Sequence, residues 1–317
     1  VKPYFKKAEN NEQFGESEHH GTGGPLNVTF PNVTSPLEKD FVEAAASLQH
    51  QHNPDFNGEN QDGVGQHQVT QKNGRRWSTA MAYLKPARSR KNLTVMTDAP
   101  VSKVIIENGR AAGVEIKGES ILTANNEIIL SAGAILSPKI LLHSGIGDIS
   151  ELKSHGIEPL HSLPGVGKNL QDHAAAGVMV RTKSRTPWGF SWPKVPKFSL
   201  DLIRYIFFRK GIFAAHLVES GGFMRTTTNL DRPDIQMVFV PGHRAPPPKQ
   251  IEVGHGYSLF AVLLRPKSRG SVSLASANLD DPPVIDHRFY TAEEDLEVIL
   301  RGLKEIRRIP HADIFEK

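Results

Sequence analysis

The chain has 317 residues, long enough for two domains, and its 38% hydrophobic and 23% charged residues make an ordinary globular composition. Thirty-eight Lys and Arg against 34 Asp and Glu leave a net charge of +4. The compact basic cluster Arg88-Ser89-Arg90-Lys91 has no interleaved aromatics, which argues against a nucleic-acid interface. No cysteine is present, so disulfides, thiolate metal sites and cysteine nucleophiles are excluded. No apolar run reaches the roughly 20 residues that span a bilayer; residues 128–142 come nearest and are broken by Ser131, Ser137, Pro138 and Lys139.

Residues 1–75 are rich in Asn, Gly, His and Gln. Within them, 36–50 are expected to form an amphipathic helix with Ser35 as N-cap, Pro36 at its first position, and Phe41, Ala44, Ala45 and Leu48 on one face. Residues 79–85 are expected to form a short helix capped by Ser78 and closed by Pro86. Short β-branched runs at 93–96 and 101–106 read as strands. Asn108-Gly109 then signals a tight turn into a strand at 112–116, with further strands at 121–123 and 127–130. The 127–130 run is continuously apolar, as in a strand buried on both faces. It meets Ser131-Ala132-Gly133, after which Pro138 is expected to open a helix that Gly145 ends; a strand, a glycine and a helix in succession make a ligand-binding joint of open α/β sheets. Aromatics gather between 188 and 213, and strand-like runs occupy 235–240 and 257–264. The longest biased tract is Pro246-Pro247-Pro248. Residues 295–308 read as a helix with Leu296, Ile299, Leu300, Leu303 and Ile306 on one side.

The segment 133–147, Gly133-Ala134-Ile135-Leu136-Ser137-Pro138 through Ser144-Gly145-Ile146-Gly147, closely resembles the second signature of the glucose–methanol–choline (GMC) oxidoreductases. The block 163–173, ending Asn169-Leu170-Gln171-Asp172-His173, follows at a family-like spacing. His20-Gly21-Thr22-Gly23-Gly24-Pro25, Asp55-Phe56-Asn57-Gly58, Asn73-Gly74-Arg75-Arg76, Glu219-Ser220-Gly221-Gly222-Phe223 and 265–270 also match, the last two in the choline-dehydrogenase-like branch.

The resemblance implies an α/β fold with α+β character in its second part. Residues 1–173 would form a partial FAD-binding, Rossmann-like domain with cofactor-covering segments, and 174–317 a substrate domain built on an antiparallel sheet. It implies backbone contacts from Val101 to the FAD adenine and cofactor-side packing at Ala132 and Gly133, where a side chain is expected to collide with cofactor or helix. Glu219 is expected to face a small-molecule alcohol, oxidised to an aldehyde by hydride transfer to flavin. The fingerprint Gly-X-Gly-X-X-Gly and the family's catalytic histidine pair do not occur between Val1 and Lys317, so the chain reads as an internal piece, inactive alone, with its base beyond Lys317. A non-catalytic flavoprotein remnant or truncated gene product is the alternative. The expected location is the cytoplasm, with peripheral attachment to a membrane as a variant. His50-Gln51-His52 has no carboxylate at ligand spacing, so no metal is expected.

Overall fold

A computed structural model describes residues 1–117, 120–242 and 254–316; Pro246-Pro247-Pro248 lies outside them. The chain divides into two units. The first comprises Val1–Leu93, His173–Arg265 and Leu296–Lys317, and the second Thr94–Asp172 and Pro266–Asp295.

The first unit is organised around a six-stranded sheet. Its order is Ala175–Thr182, Gly254–Leu263, Ile235–Val240, Ser220–Met224, Gly63–Gln66, with the short Gly189–Phe190 also paired to Gly254–Leu263. Every pairing is antiparallel. Successive strand side chains point to opposite faces, so Ile235, Met237 and Phe239 line up with Tyr257, Leu259, Ala261 and Leu263 on one buried face. Helix Leu37–Ser47 covers that face and buries Leu37, Phe41, Ala44 and Ala45. Phe41 stacks on Phe239 with ring centroids 4.7 Å apart, and truncating either ring would cost about 3–5 kcal/mol. The helix begins one residue later than expected. Pro36 takes the cap position, and Ser35 Oγ accepts the Leu37 N–H at 3.3 Å.

Helix Glu293–Arg308 carries acidic residues in its first turn and basic ones in its last, complementing its dipole. Ile299 and Ile306 are buried, but Leu296 and Leu300 are exposed. The buried line runs through Gly302, where an added Cβ would stand 3.0 Å from Ile235 Cγ1; Leu296 and Leu300 fall roughly 90–130° from that line at about 100° per residue. Residues 79–85 form a five-residue π-helical turn, Ala80–Leu84, continued by Lys85–Ala87, so Pro86 lies inside the helical stretch and does not close it.

A polar knot ties the loops of the first unit. His20 is buried, with Nδ1 3.1 Å from Glu9 Oε1 and Nε2 2.9 Å from Asp55 Oδ2. Gly21 N–H donates to Glu9 Oε2 at 2.9 Å. His20, Gly21 and Asp55 come from two of the blocks singled out in the sequence, and Glu9 from outside them.

The second unit begins with a three-stranded antiparallel meander, Val101–Glu107, Arg110–Ile116 and Ser120–Thr123. Its first turn is Asn108-Gly109, both in the left-handed region as a two-residue hairpin requires. Helix Gly133–His143 packs on the meander. It is longer than expected, with Pro138 inside it. Ser144 Oγ accepts the Val104 N–H at 2.8 Å and donates to the Ile140 carbonyl at 2.6 Å, joining helix to strand. Asp148 caps helix Ile149–Ser154 by accepting from Ser150 and Glu151 N–H. Leu142, Leu152, Val166 and Leu274 form the small core.

Two expected strands are absent. Residues 93–96 are irregular, with Val95 and Met96 exposed. Residues 127–130 are also not a strand, and Ile129 is 75% exposed. A strand exists only through a neighbour's hydrogen bonds, and among the described residues none pairs with this run.

The His20 knot makes a pH prediction. Burial alone would lower the imidazole pKa, but the hydrogen bonds it donates to Asp55 and Glu9 outweigh it and raise the value above its ordinary 6.5. A raised folded-state pKa contributes stability that is full below about 6.5 and lost as pH climbs through the raised value. His20→Gln should therefore lose about 2–3 kcal/mol at pH 6 and less at pH 9. Urea denaturation at the two pH values measures this, and an unchanged midpoint at pH 6 would contradict it.

Candidate cofactor cavity and buried carboxyl cluster

In the second unit, Val101 opens the first strand and Ala132 stands at the N-cap of helix Gly133–His143. Both line one cavity of about 630 Å³. Its apolar wall includes Val114, Leu130, Leu136 and Ile140; Ser102, Lys117, Lys139 and Asp280 are among its polar residues. Lys139 Nζ is held by the carbonyls of Leu279 (2.9 Å) and Asp281 (2.7 Å), and Lys117 pairs with Asp280. Ser102 Oγ is buried without a hydrogen-bond partner. An orphaned hydroxyl in a cavity wall is a free donor and acceptor for a ligand.

Gly133 sits at the mouth of this helix with φ +82°. The collision expected there is not with this chain: beyond its own helix backbone and chain neighbours, nothing lies within 4 Å of an added Cβ. The requirement is conformational, because that φ is unfavourable for any residue with a Cβ. The missing side chain leaves open space beside Ser131 and Ala132, both exposed.

Glu219 belongs to the first unit and precedes strand Ser220–Met224. It has no solvent exposure. Its Oε2 accepts the Ser35 N–H at 2.6 Å, and its Oε1 has no partner. Burial raises its pKa to about 7, reinforced by the nearby Glu38 and opposed by the Ser35 hydrogen bond. Burial likewise lifts Glu38 to about 7, against a hydrogen bond from Thr34. His67 donates its backbone N–H to the Glu219 carbonyl at 2.9 Å, while its side-chain Nε2 is buried and unpartnered. Burial and neighbouring His216 depress the His67 imidazole to about 4, so it is neutral at pH 7. Glu38 and His67 escaped the sequence reading. Glu38 looked like an ordinary polar face of an amphipathic helix, and Gln66-His67-Gln68 had only its polarity to mark it.

Residues 1–175 match the N-terminal domain of the GMC oxidoreductases and 266–316 the C-terminal domain. The chain belongs to the GMC oxidoreductase family, whose cofactor is FAD. It is 42% identical over 310 residues to an alcohol dehydrogenase [acceptor] of Pseudomonas putida, covering 96% of this chain and 56% of that protein. It is 40% identical over 300 residues to an oxygen-dependent choline dehydrogenase of Brucella anthropi, covering 93% and 54%. Among solved structures, pyridoxine 4-oxidase from Mesorbium loti superposes with a TM-score of 0.85 at 29% identity, over 99% of this chain and 58% of that one. Formate oxidase gives 0.86 at 22% identity, over 99% and 61%, a likeness of fold. The chain spans a little over half the length of the curated relatives it matches. The mixed helix-and-sheet architecture with antiparallel sheets is that of these flavoproteins.

Glu219 makes a second pH prediction. Its folded pKa lies above its ordinary 4.5, so the stability tied to the protonated acid is full below 4.5 and lost as pH rises through about 7. Glu219→Gln keeps an acceptor for Ser35 N–H and never ionises. It should match the wild type near pH 4.5 and exceed it by about 1–3 kcal/mol at pH 8. Thermal melts at both pH values report the difference; a variant less stable at pH 8 would show that the ionised carboxylate is the stabilising form.

Proposed function

We propose that the full-length enzyme oxidises a primary alcohol to an aldehyde with FAD as hydride acceptor, and that the cavity of the second unit holds the adenine side of the cofactor. The observation that carries this reading is convergence: Val101 and Ala132, thirty-one residues apart, line the same cavity beside an unpartnered Ser102 hydroxyl. The apolar Val101, Val114 and Leu130 suit an aromatic ring, Ser102 Oγ offers it a hydrogen bond, and Gly133 leaves room for close approach to the backbone. Bound FAD would take up the hydride released from the alcohol carbon.

In this reading residues 1–173 contribute a partial FAD domain with cofactor-covering segments, and 174–317 the substrate side. Val101, Ala132 and Gly133 all belong to the second unit and Glu219 to the first. Glu219 faces the substrate, and its unpartnered Oε1 and the neutral His67 Nε2 are the polar atoms left free to meet a hydroxyl or a cationic group. A carboxyl poised near pH 7 changes its charge where the enzyme works. Peripheral attachment to a membrane is part of the same proposal.

The test compares two glycines that are alike except for the cavity. Gly133 and Gly109 both have positive φ and open space around an added Cβ, so Gly133→Ala and Gly109→Ala should lose similar stability, about 1–2 kcal/mol. Only Gly133→Ala should also lose flavin, by roughly tenfold at limiting FAD, and with it turnover of primary alcohols. Flavin absorbance after gel filtration and dye reduction with an alcohol panel, both on the full-length enzyme, are the measurements. Equal flavin content in the two variants, or a full-length wild-type enzyme without flavin, would overturn the assignment.

A further inference from the structure

Helix Val195–Phe208 is unlike the other helices of the first unit, because its buried contribution is one acidic residue, Asp201. Most of the positions that face outward are apolar. Phe207 is 73% exposed and Phe208 69%, and Leu200, Leu202, Ile203 and Ile206 are each close to half exposed. At about 100° per residue, Leu202, Val195, Ile206, Ile203, Phe207 and Leu200 occupy one arc of roughly 160°. Arg204 and Lys197 border that arc and are bridged to Asp201 at 3.6 and 3.0 Å. Just before the helix, Trp192 is 77% exposed. Just after it, Arg209 caps the helix in the left-handed conformation over the Tyr205 ring.

The charge of the segment is as one-sided as its exposure. Residues 183–217 contain seven Lys and Arg and a single acidic residue, a net of +6, in a chain whose total is +4; the remainder is net negative. An apolar arc bordered by cations, with an exposed tryptophan at one end, matches the interface of a lipid bilayer, where aliphatic side chains enter the acyl boundary and cations meet anionic headgroups. At 14 residues the helix is about 21 Å long, too short to cross a hydrocarbon core of about 30 Å. No described helix is long and apolar enough to cross a membrane. It can lie on the surface but not traverse it.

We propose that Val195–Phe208, with Trp192, is an interfacial helix that docks the protein on an anionic bilayer. This rests on the proposed peripheral location and not on the proposed reaction, so its test needs neither flavin nor turnover. Purified protein is sedimented with vesicles of phosphatidylcholine alone and with vesicles containing phosphatidylglycerol. Binding should be at least about tenfold tighter to the anionic vesicles, weaken as salt rises, and shift Trp192 emission to the blue. Ile203→Glu/Phe207→Glu changes only exposed positions, so the fold should survive, as circular dichroism will show, and vesicle binding should fall by at least about tenfold. Lys183→Glu/Arg185→Glu/Lys210→Glu should remove the preference for anionic lipid. Binding that neither variant affects, or no binding to either vesicle, overturns the proposal. So does self-association without vesicle binding that Ile203→Glu/Phe207→Glu abolishes, which would assign the face to a second copy of the chain.

Discussion

Strand Ser220–Met224 runs between two neighbours that leave no room for side chains at its centre. An added Cβ at Gly221 would stand 2.2 Å from the Met237 carbonyl oxygen and 2.5 Å from His67 Nε2; at Gly222 it would stand 2.3 Å from the Gly63 carbonyl oxygen. Real Cβ atoms do not approach backbone so closely, so the glycine pair is a condition of the ladder. The ladder in turn joins Gly63–Gln66 to Ile235–Val240 and carries Phe239 under Phe41. It also sets Glu219 at the head of the strand, where its carbonyl takes the His67 N–H and its carboxyl reaches Ser35. The buried carboxyl and the neutral imidazole are consequences of that register.

The first unit handles buried ionisable groups in two opposite ways. At His20 each ring nitrogen faces a carboxylate, and the charged form is favoured despite burial. At Glu219 and His67 one polar atom of each side chain has no partner, and burial drives both groups toward neutrality. Satisfied charge makes a rigid junction, and unsatisfied polarity marks a place prepared for something else. The same contrast holds in the second unit, where the Ser144 hydroxyl is bonded twice and the Ser102 hydroxyl not at all.

Much of this was legible in the residues. The ordered blocks from His20 to 265–270 named the family, and β-branched runs punctuated by Asn108-Gly109 located the meander. The 3.6-residue period found helix Leu37–Ser47 together with its buried face. These are local properties, written by turn chemistry and side-chain periodicity over a dozen residues. The tertiary structure decided what depends on neighbours distant in sequence. It left 127–130 without regular structure, because apolar composition permits a strand but only a pairing partner makes one. It turned Leu296 and Leu300 outward, because the line through Ile299, Gly302 and Ile306 fits closer to the sheet. It raised the Glu219 pKa by burial, reinforced by Glu38 and opposed by the N–H of Ser35, 184 positions away, and it left the apolar arc of Val195–Phe208 uncovered. Desolvation and exposure are set by the whole packed surroundings, which no window of sequence contains.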